Sequence, residues 1–360
     1  MIAALAKEIQ LRKEEFKNTT VETIYFGGGT PSLLTIEELQ FLIAAIYSNY
    51  KVSKHPEITL EANPDNLIIA QSNQNLPLKT QSRTIFEDYK NAGINRLSIG
   101  IQSFFEEDLK LMNRAHNAEE AKLCLDLATQ HFDNISVDLI YGIPGLSHER
   151  WKQNIDTALS YHMPHISSYA LTVEPKTALE SFIKKGLIDN VDDEQAHEQF
   201  HILKDTLEAS NFVHYELSNF GKEGYFSKNN SAYWQGKSYL GIGPSAHSFN
   251  GKERGWNVRN NSKYIKAIQD EILPVETEIL SITDQYNECV MTGLRTIWGV
   301  SFDKVEQNFG TIFKDYLIEQ SKIFINQHLL YIDNEHLRVT KKGQFLCDGI
   351  ASELFKINES

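Results

Sequence analysis

Residues 23–32 read Thr23-Ile24-Tyr25-Phe26-Gly27-Gly28-Gly29-Thr30-Pro31-Ser32. A short run of β-branched and aromatic residues meets three glycines, and a helical pattern follows from Thr35. That order reads as strand, turn and helix. The unit recurs along the chain. TIYF (23–26), EITLE (57–61), RLSIGI (96–101), ISVDLIY (135–141) and HISSYAL (165–171) are all bounded by Gly, Pro or Asn. Each is too short and too rich in β-formers to be a buried helix. Between them, residues 35–50 place Ile36, Leu39, Leu42, Ile43 and Ile46 on one helical face, behind Thr35 as N-cap with Glu38 three residues on. Residues 118–130 do the same with Ala121, Cys124, Leu125 and Ala128, and 150–161 repeat the pattern. Strands begin every ~30–40 residues, the length of one βα unit, so the expected fold class is α/β with a parallel sheet and right-handed crossovers. Five consecutive units favour a barrel or partial barrel over an open sheet.

The rest of the chain departs from this rhythm. Residues 66–82, rich in Asn, Gln and Ser, read as an inserted surface loop. Beyond 175 a helix is expected over 192–210, a strand over 213–220, and a polar, aromatic-rich stretch over 222–261. From Ser281 a separate small helical unit begins. Within 329–355 two short strands flank an Asp333-Asn334 turn, and a helix opens near Lys342-Gly343, the plan of a winged-helix-like domain. The expected organisation is a barrel over 1–175, an extension over 176–275 and the winged-helix-like domain over 276–360.

The chain has 360 residues, 41% hydrophobic and 23% charged, values that suit a globular core of ordinary size. Its net charge of −13 argues against a nucleic-acid partner, which needs a broad basic surface. No stretch of about 18 apolar residues is present to span a membrane. The opening residues, MIAALAKEIQLRKEEF, carry charges throughout and lack a signal-peptide core. Cys124, Cys289 and Cys347 are few and odd in number, which fits a reducing cytoplasm better than a disulfide scaffold, and they are too far apart for metal-ligand spacing.

In a parallel barrel, ligands gather at the C-terminal ends of the strands. After the 23–26 run, Gly28 and Gly29 let the backbone approach a ligand, and Thr30-Pro31 opens the next segment with free N–H groups. The turn matches neither a Walker loop nor G-x-G-x-x-G. Glu61 ends the second run, where a carboxylate needs a cationic or hydroxyl partner. Gln102 sits at the rim after 96–101, and Arg114, in Met112-Asn113-Arg114-Ala115-His116, offers a fork for a carboxylate. Asp138 lies inside an otherwise apolar strand, a costly place unless the charge is used. Together these residues outline a polar cup for a small zwitterion carrying hydroxyls.

The phrases IYFGGGTPSLL, ITLEANPD, GINRLSIGIQSF, LMNRAH, ISVDLIYGIPG and YLGIGPSAHSF, in this order over residues 1–355, resemble the radical S-adenosylmethionine (SAM) proteins related to oxygen-independent coproporphyrinogen III oxidase, and most of all their heme-chaperone branch. The resemblance implies a partial (β/α)6 barrel with a small C-terminal winged-helix-like domain. It implies a SAM site at the strand ends, with Gly28, Gly29 and Thr30 on the methionine part, Glu61, Gln102, Arg114 and Asp138 as further contacts, and Ala170 near the adenine. The implied function is binding heme and passing it to an acceptor protein. Oxidation of coproporphyrinogen III and a cluster-free, non-catalytic relative remain the alternatives.

Two departures qualify that reading. Relatives hold a [4Fe–4S] cluster on a C-x-x-x-C-x-x-C motif in the first barrel strand, and no such motif occurs in these 360 residues. The chain is therefore expected to start after that strand, through a displaced start or as a cluster-free relative. Relatives also carry His-Asn-x-x-Tyr-Trp, associated with heme. Here Asn230, Tyr233 and Trp234 agree while Asn229 replaces the His, and an amide is a poor axial ligand for heme iron. His247, in Pro244-Ser245-Ala246-His247-Ser248, is the substitute candidate.

Overall fold

The computed structural model describes residues 1–68 and 78–357. Five parallel strands follow one another in order: β1 (Thr20–Phe26), β2 (Lys51–Ala62), β3 (Arg96–Gln102), β4 (Ile135–Tyr141) and β5 (His165–Ala170). A hairpin, β6 (Val213–Glu216) and β7 (Asn219–Gly221), then closes the sheet antiparallel to β5, giving the order β1-β2-β3-β4-β5-β7-β6. The curled half-barrel sheet and its α/β class agree with the expectation. The 213–220 stretch differs from it, because Leu217 and Ser218 turn the chain and make two strands of one.

The strands alternate strictly. Ile24, Ile58, Leu60, Leu97, Ile99, Ile135, Val137 and Ile166 point to one side and are buried against the helices. Tyr25, Thr59, Glu61, Arg96, Ser98, Ser136, Asp138 and Ser167 occupy the alternate positions, on the concave side. Register keeps them in rows. Tyr25 pairs with Thr59, Thr59 with Arg96, Glu61 with Ser98, Ser98 with Ser136, and Asp138 with Ser167. The helices start where capping predicts. Thr35 and Glu38 form a capping box on Ile36–Asn49, as do Asn117 and Glu120 on Ala118–Ala128.

Of the inserted loop expected over 66–82, residues 69–77 lie outside the described residues, while its two ends belong to the helices Pro64–Ile68 and Leu78–Asn91. The polar stretch after 222 contains a short helix, Lys228–Trp234, and a second sheet. This sheet consists of β8 (His247–Phe249), β9 (Glu253–Asn257) and β10 (Val275–Ile279). It was not legible from residues as polar as these.

A second core joins Tyr286, Val290, Leu294, Leu317 and Leu337. Its elements run helix Ile282–Leu294, β11 (Val300–Ser301), helices Phe302–Phe309 and Thr311–Asn326, then β12 (Leu330–Asp333) and β13 (His336–Val339). That is the winged-helix order, with one strand more than the sequence suggested.

The N-terminal helix Ile2–Leu11 is fastened to the second sheet by one buried carboxylate. Glu8, fully buried, accepts from Tyr264 Oη at 2.6 Å, Gly243 N at 2.8 Å, Asn257 Nδ2 at 2.8 Å and Arg12 Nη1 at 3.3 Å. Glu8→Ala would leave the Tyr264 hydroxyl and the Gly243 N–H buried without this acceptor, while Arg12 keeps Glu15 and Asn257 keeps the Gly243 carbonyl, so a loss of about 2–5 kcal/mol is expected in chemical denaturation. An unchanged unfolding midpoint would show that this cluster does not fasten the helix.

Candidate functional site

Glu61 organises the cup. Its Oε1 accepts from Tyr25 Oη at 2.6 Å, and its Oε2 accepts from Gly28 N at 3.0 Å. One carboxylate thus ties β1, β2 and the glycine turn together. A Cβ on Gly27 would lie 2.4 Å from the Tyr25 ring and 2.8 Å from the Glu61 carboxyl, so Gly27 is the glycine that the packing requires. Gly28 takes φ +78°, which favours glycine, and neither Gly28 nor Gly29 has an atom within 4 Å of where a Cβ would stand. The turn therefore presents bare backbone to open space. Thr30 caps the short turn Pro31–Leu33 without a side-chain bond.

Asp138 accepts from Ser98 Oγ at 3.3 Å. Burial, and after it the Glu61 charge, raise its carboxyl to about 7, although Ser98, Ser167 and Arg96 pull the other way. Desolvation and Glu61 likewise raise the Tyr25 phenol, and desolvation and Asp138 raise Tyr169. Arg114 lies within the field of Asp138 and Asp65, yet desolvation still lowers its pKa. Its Nε is buried without a partner among the described residues. Gln102 closes β3 at φ +66°, with its amide folded back over Gly100, where a Cβ would lie 2.7 Å from Nε2. Beside it, buried His116 donates Nε2–H to the Ile101 carbonyl at 3.0 Å, and its Nδ1 lies 3.9 Å from Asp65.

The structure thus gathers Gly28, Glu61, Arg114 and Asp138 around the strand ends, with Gln102 at the rim. Sequence reasoning missed Tyr25, Ser98 and Tyr169. Their signal was present: each sits two residues from a polar or glycine position on its own strand, the period of one sheet face.

The residues present fit the nucleoside implied by the resemblance. The Arg114 Nε–H, without a partner among the described residues, suits a carboxylate, bare glycine backbone suits close approach, and Asp138 keeps acceptor positions for an ammonium or hydroxyls. They do not fit an iron–sulfur cluster. Cys124 is buried behind β-sheet and helix, and Cys289 and Cys347 belong to the second core region. Burial raises all three thiols, Cys289 to about 11 and Cys347 to about 12, so none is poised as a thiolate. Among the described residues no group of three metal-ligating side chains forms. No chemical step is therefore derived through a cluster.

The heme-motif residues lie elsewhere. The helix Lys228–Trp234 rests against β1, where Thr23 Oγ1 donates to Asn229 Oδ1 at 3.0 Å. Glu57 accepts from Lys228 N and Asn229 N at 3.1 and 3.0 Å. Asn230 N donates to Ser227 Oγ. Tyr233, 43% exposed, meets Tyr239 edge-on at 4.5 Å, and Tyr239 bridges to Phe249 of β8. His247, exposed on β8, faces Trp256, while Trp234 turns away toward Arg295. This segment meets β1 and β2 at Thr23 and Glu57, away from the Glu61 end of the cup. Glu57 and Glu61 are four residues apart on β2, about 13 Å along the strand. Ala170 ends β5 and is exposed.

Comparison with known proteins agrees with this architecture. Residues 4–158 match the Radical SAM superfamily, and residues 280–346 match the HemN C-terminal domain. Heme chaperone HemW of Lactococcus lactis is 33% identical over 334 residues, covering 92% of this chain and 84% of that relative. Heme chaperone HemW of Bacillus subtilis is 33% identical over 329 residues, covering 91% and 83%. The structure of Escherichia coli coproporphyrinogen III oxidase (HemN), a radical SAM enzyme, superposes with a TM-score of 0.80 at 21% identity, over 98% of this chain and 82% of that one. That likeness shows the shared fold. Radical SAM proteins in general use SAM and a [4Fe–4S] cluster. No helix among the described residues is long and apolar enough to cross a membrane. With one third of its residues identical to HemW proteins over most of both chains, this chain belongs to the HemW family of radical SAM proteins.

Proposed function

We propose that this chain is a heme chaperone that binds heme or a related porphyrin, delivers it to an acceptor protein, and holds SAM in the polar cup of its half-barrel. The observation that carries the function is the similarity to HemW chaperones over 92% of the chain. The cup carries the SAM assignment. Arg114, with its Nε unpaired, takes the ligand carboxylate. Gly29 and Thr30 lie along its backbone, and Asp138 accepts from its ammonium or hydroxyl groups. Glu61, both of whose oxygens are engaged, holds the glycine turn in place and acts through it. Gln102 closes the rim. When bound, SAM supplies a sulfonium group.

The heme reading places the macrocycle against the exposed Tyr233, next to Tyr239 and His247 of the second sheet. There an imidazole is available and the Asn229 amide is not a ligand. Asn230 and Trp234 support that surface, through the helix cap and the stack on Arg295. No residue of the cup is needed for it.

Three measurements test these assignments. Titration of the full chain with heme is expected to shift the Soret band, and His247→Ala to weaken the shift. A Soret band that stays at its free-heme position would sink the chaperone reading. In calorimetric titration with SAM, Arg114→Ala is expected to weaken binding by about 1.5–3 kcal/mol, the worth of a charge-assisted bond. Equal affinity would remove Arg114 from the site. The third measurement is pH dependence. Asp138 titrates at about 7, and only its ionised form neutralises a ligand cation. SAM affinity of the native protein relative to Asp138→Asn is therefore expected to rise as pH rises through 7. A ratio independent of pH would exclude contact between Asp138 and the ligand's positive charge.

A further inference from the structure

Away from the cup, the helix Asp193–Ala209 carries His197 and His201 one turn apart on the same face. Their Nε2 atoms lie 3.0 Å apart, with ring planes at 85°. In two neutral imidazoles this contact is a single hydrogen bond, one ring donating its Nε2–H to the other's lone pair. The spacing also equals the bite of two neighbouring ligands on one ion. At metal–nitrogen distances of ~2.0–2.1 Å and angles between square and tetrahedral, two nitrogens lie roughly 2.9–3.4 Å apart. We propose that His197 and His201 form a two-imidazole chelate for a borderline divalent transition metal of the Zn2+, Ni2+ or Cu2+ class, with water completing the coordination shell.

The surroundings favour this clamp. Phe345 packs edge-on against His197 at 4.6 Å, and Phe200 stands 5.7 Å from His201, so both rings are held by neighbours. Both histidines are half-buried, which leaves a side open to an incoming ion. Burial first, then His197 and Lys204, keep His201 below its ordinary value and its lone pair free at neutral pH. The Lys204 ammonium, the nearest cation, is engaged by Gln344 and lies 3.8 Å from Glu208. Binding needs no net proton loss. The proton shared between the rings moves through water to Nδ1 of the ring that donated it, and both neutral imidazoles then present Nε2 lone pairs. No oxidation state changes. Imidazole nitrogen suits Zn2+, Ni2+ and Cu2+, whereas Mg2+ and Ca2+ require oxygen ligands. Among the described residues no third His, Cys, Asp or Glu joins the pair, so the affinity expected is that of a chelate, below that of a four-ligand zinc site.

The test titrates the full chain with Zn2+ alone, then with Ni2+ alone, by calorimetry. One equivalent is expected to bind, and His197→Ala or His201→Ala each to weaken it by about tenfold or more through loss of the chelate. His148→Ala, which removes the neighbouring His148–Glu198 contact, is expected to leave binding unchanged. If an alanine variant folds poorly by circular dichroism, His197→Gln and His201→Gln are read in its place. Native binding that survives in the doubly substituted chain, or no binding by the native chain, would overturn the site and leave the pair as a neutral hydrogen bond.

Discussion

A parallel sheet normally buries both faces beneath helices, and its strands then read as continuous apolar runs. Here alternate residues of β2 to β5 are polar, so only one face can be covered by an apolar helical layer. The other must enclose a space in which polar groups meet one another or a ligand. The half-barrel follows from that constraint: curling the sheet brings the polar rows within reach across the concave side. Deep in the curve the demand is met internally. Ser136 Oγ lies 2.7 Å from His165 Nδ1, His165 Nε2 lies 2.8 Å from Tyr215 Oη, and Ser167 donates to Asn219 at 2.5 Å. The resulting network leaves His165 strongly disfavoured as a cation, chiefly by burial.

Nearer the strand ends the demand is not met. The Glu61 charge raises the Asp138 carboxyl, and among the described residues Arg114 keeps a buried Nε–H without an acceptor and Thr59 Oγ1 is also buried without a partner. A sequence selected only for folding would remove a mismatch such as the raised Asp138 carboxyl beside Glu61, and its place at the strand ends points to a site kept for something else. What would relieve them is a molecule with a carboxylate, a positive charge and hydroxyls on one small frame. The acidic net charge of the whole chain says nothing against this, because the cup sets its own local field.

How much of this could be read from the sequence depended on the kind of signal. The βα rhythm, the Thr35–Glu38 capping box and a turn between the last two strands are local in sequence and were legible, although the turn falls at Asn334-Glu335, one residue beyond the Asp333-Asn334 expected. Glu61 and Asp138 were singled out because charges in strand or strand-end positions demand an explanation, and Arg114, in the loop after the helix Glu106–Leu111, only as a fork for a carboxylate. Tyr25 was missed, because a tyrosine in an apolar run looks like core unless its two-residue spacing from Thr23 and Gly27 is read as one sheet face. The β8–β10 sheet was hidden for another reason. It is held by backbone pairing and by the buried Glu8, contributed by a helix more than two hundred residues away in sequence. The hairpin at Leu217-Ser218 carries neither Gly nor Pro, so nothing local announced it.

The two carboxylates of β2 divide the molecule's labour. Glu61 fixes the glycine turn at one end of the strand, and Glu57 fixes the start of the Lys228–Trp234 helix toward the other. The latter bonds come from backbone N–H groups, so they do not depend on which side chain stands at position 229. A His there would keep them and change the side-chain bonds that Asn229 makes with Thr23 and Tyr233. The Asn229 departure is therefore a change of surface chemistry on an unchanged scaffold. About 13 Å of strand separates the two ends. Any influence between them must pass through β1 and β2, which both carboxylates grip. The half-barrel thus sets the cup and the Lys228–Trp234 helix apart on one pair of strands.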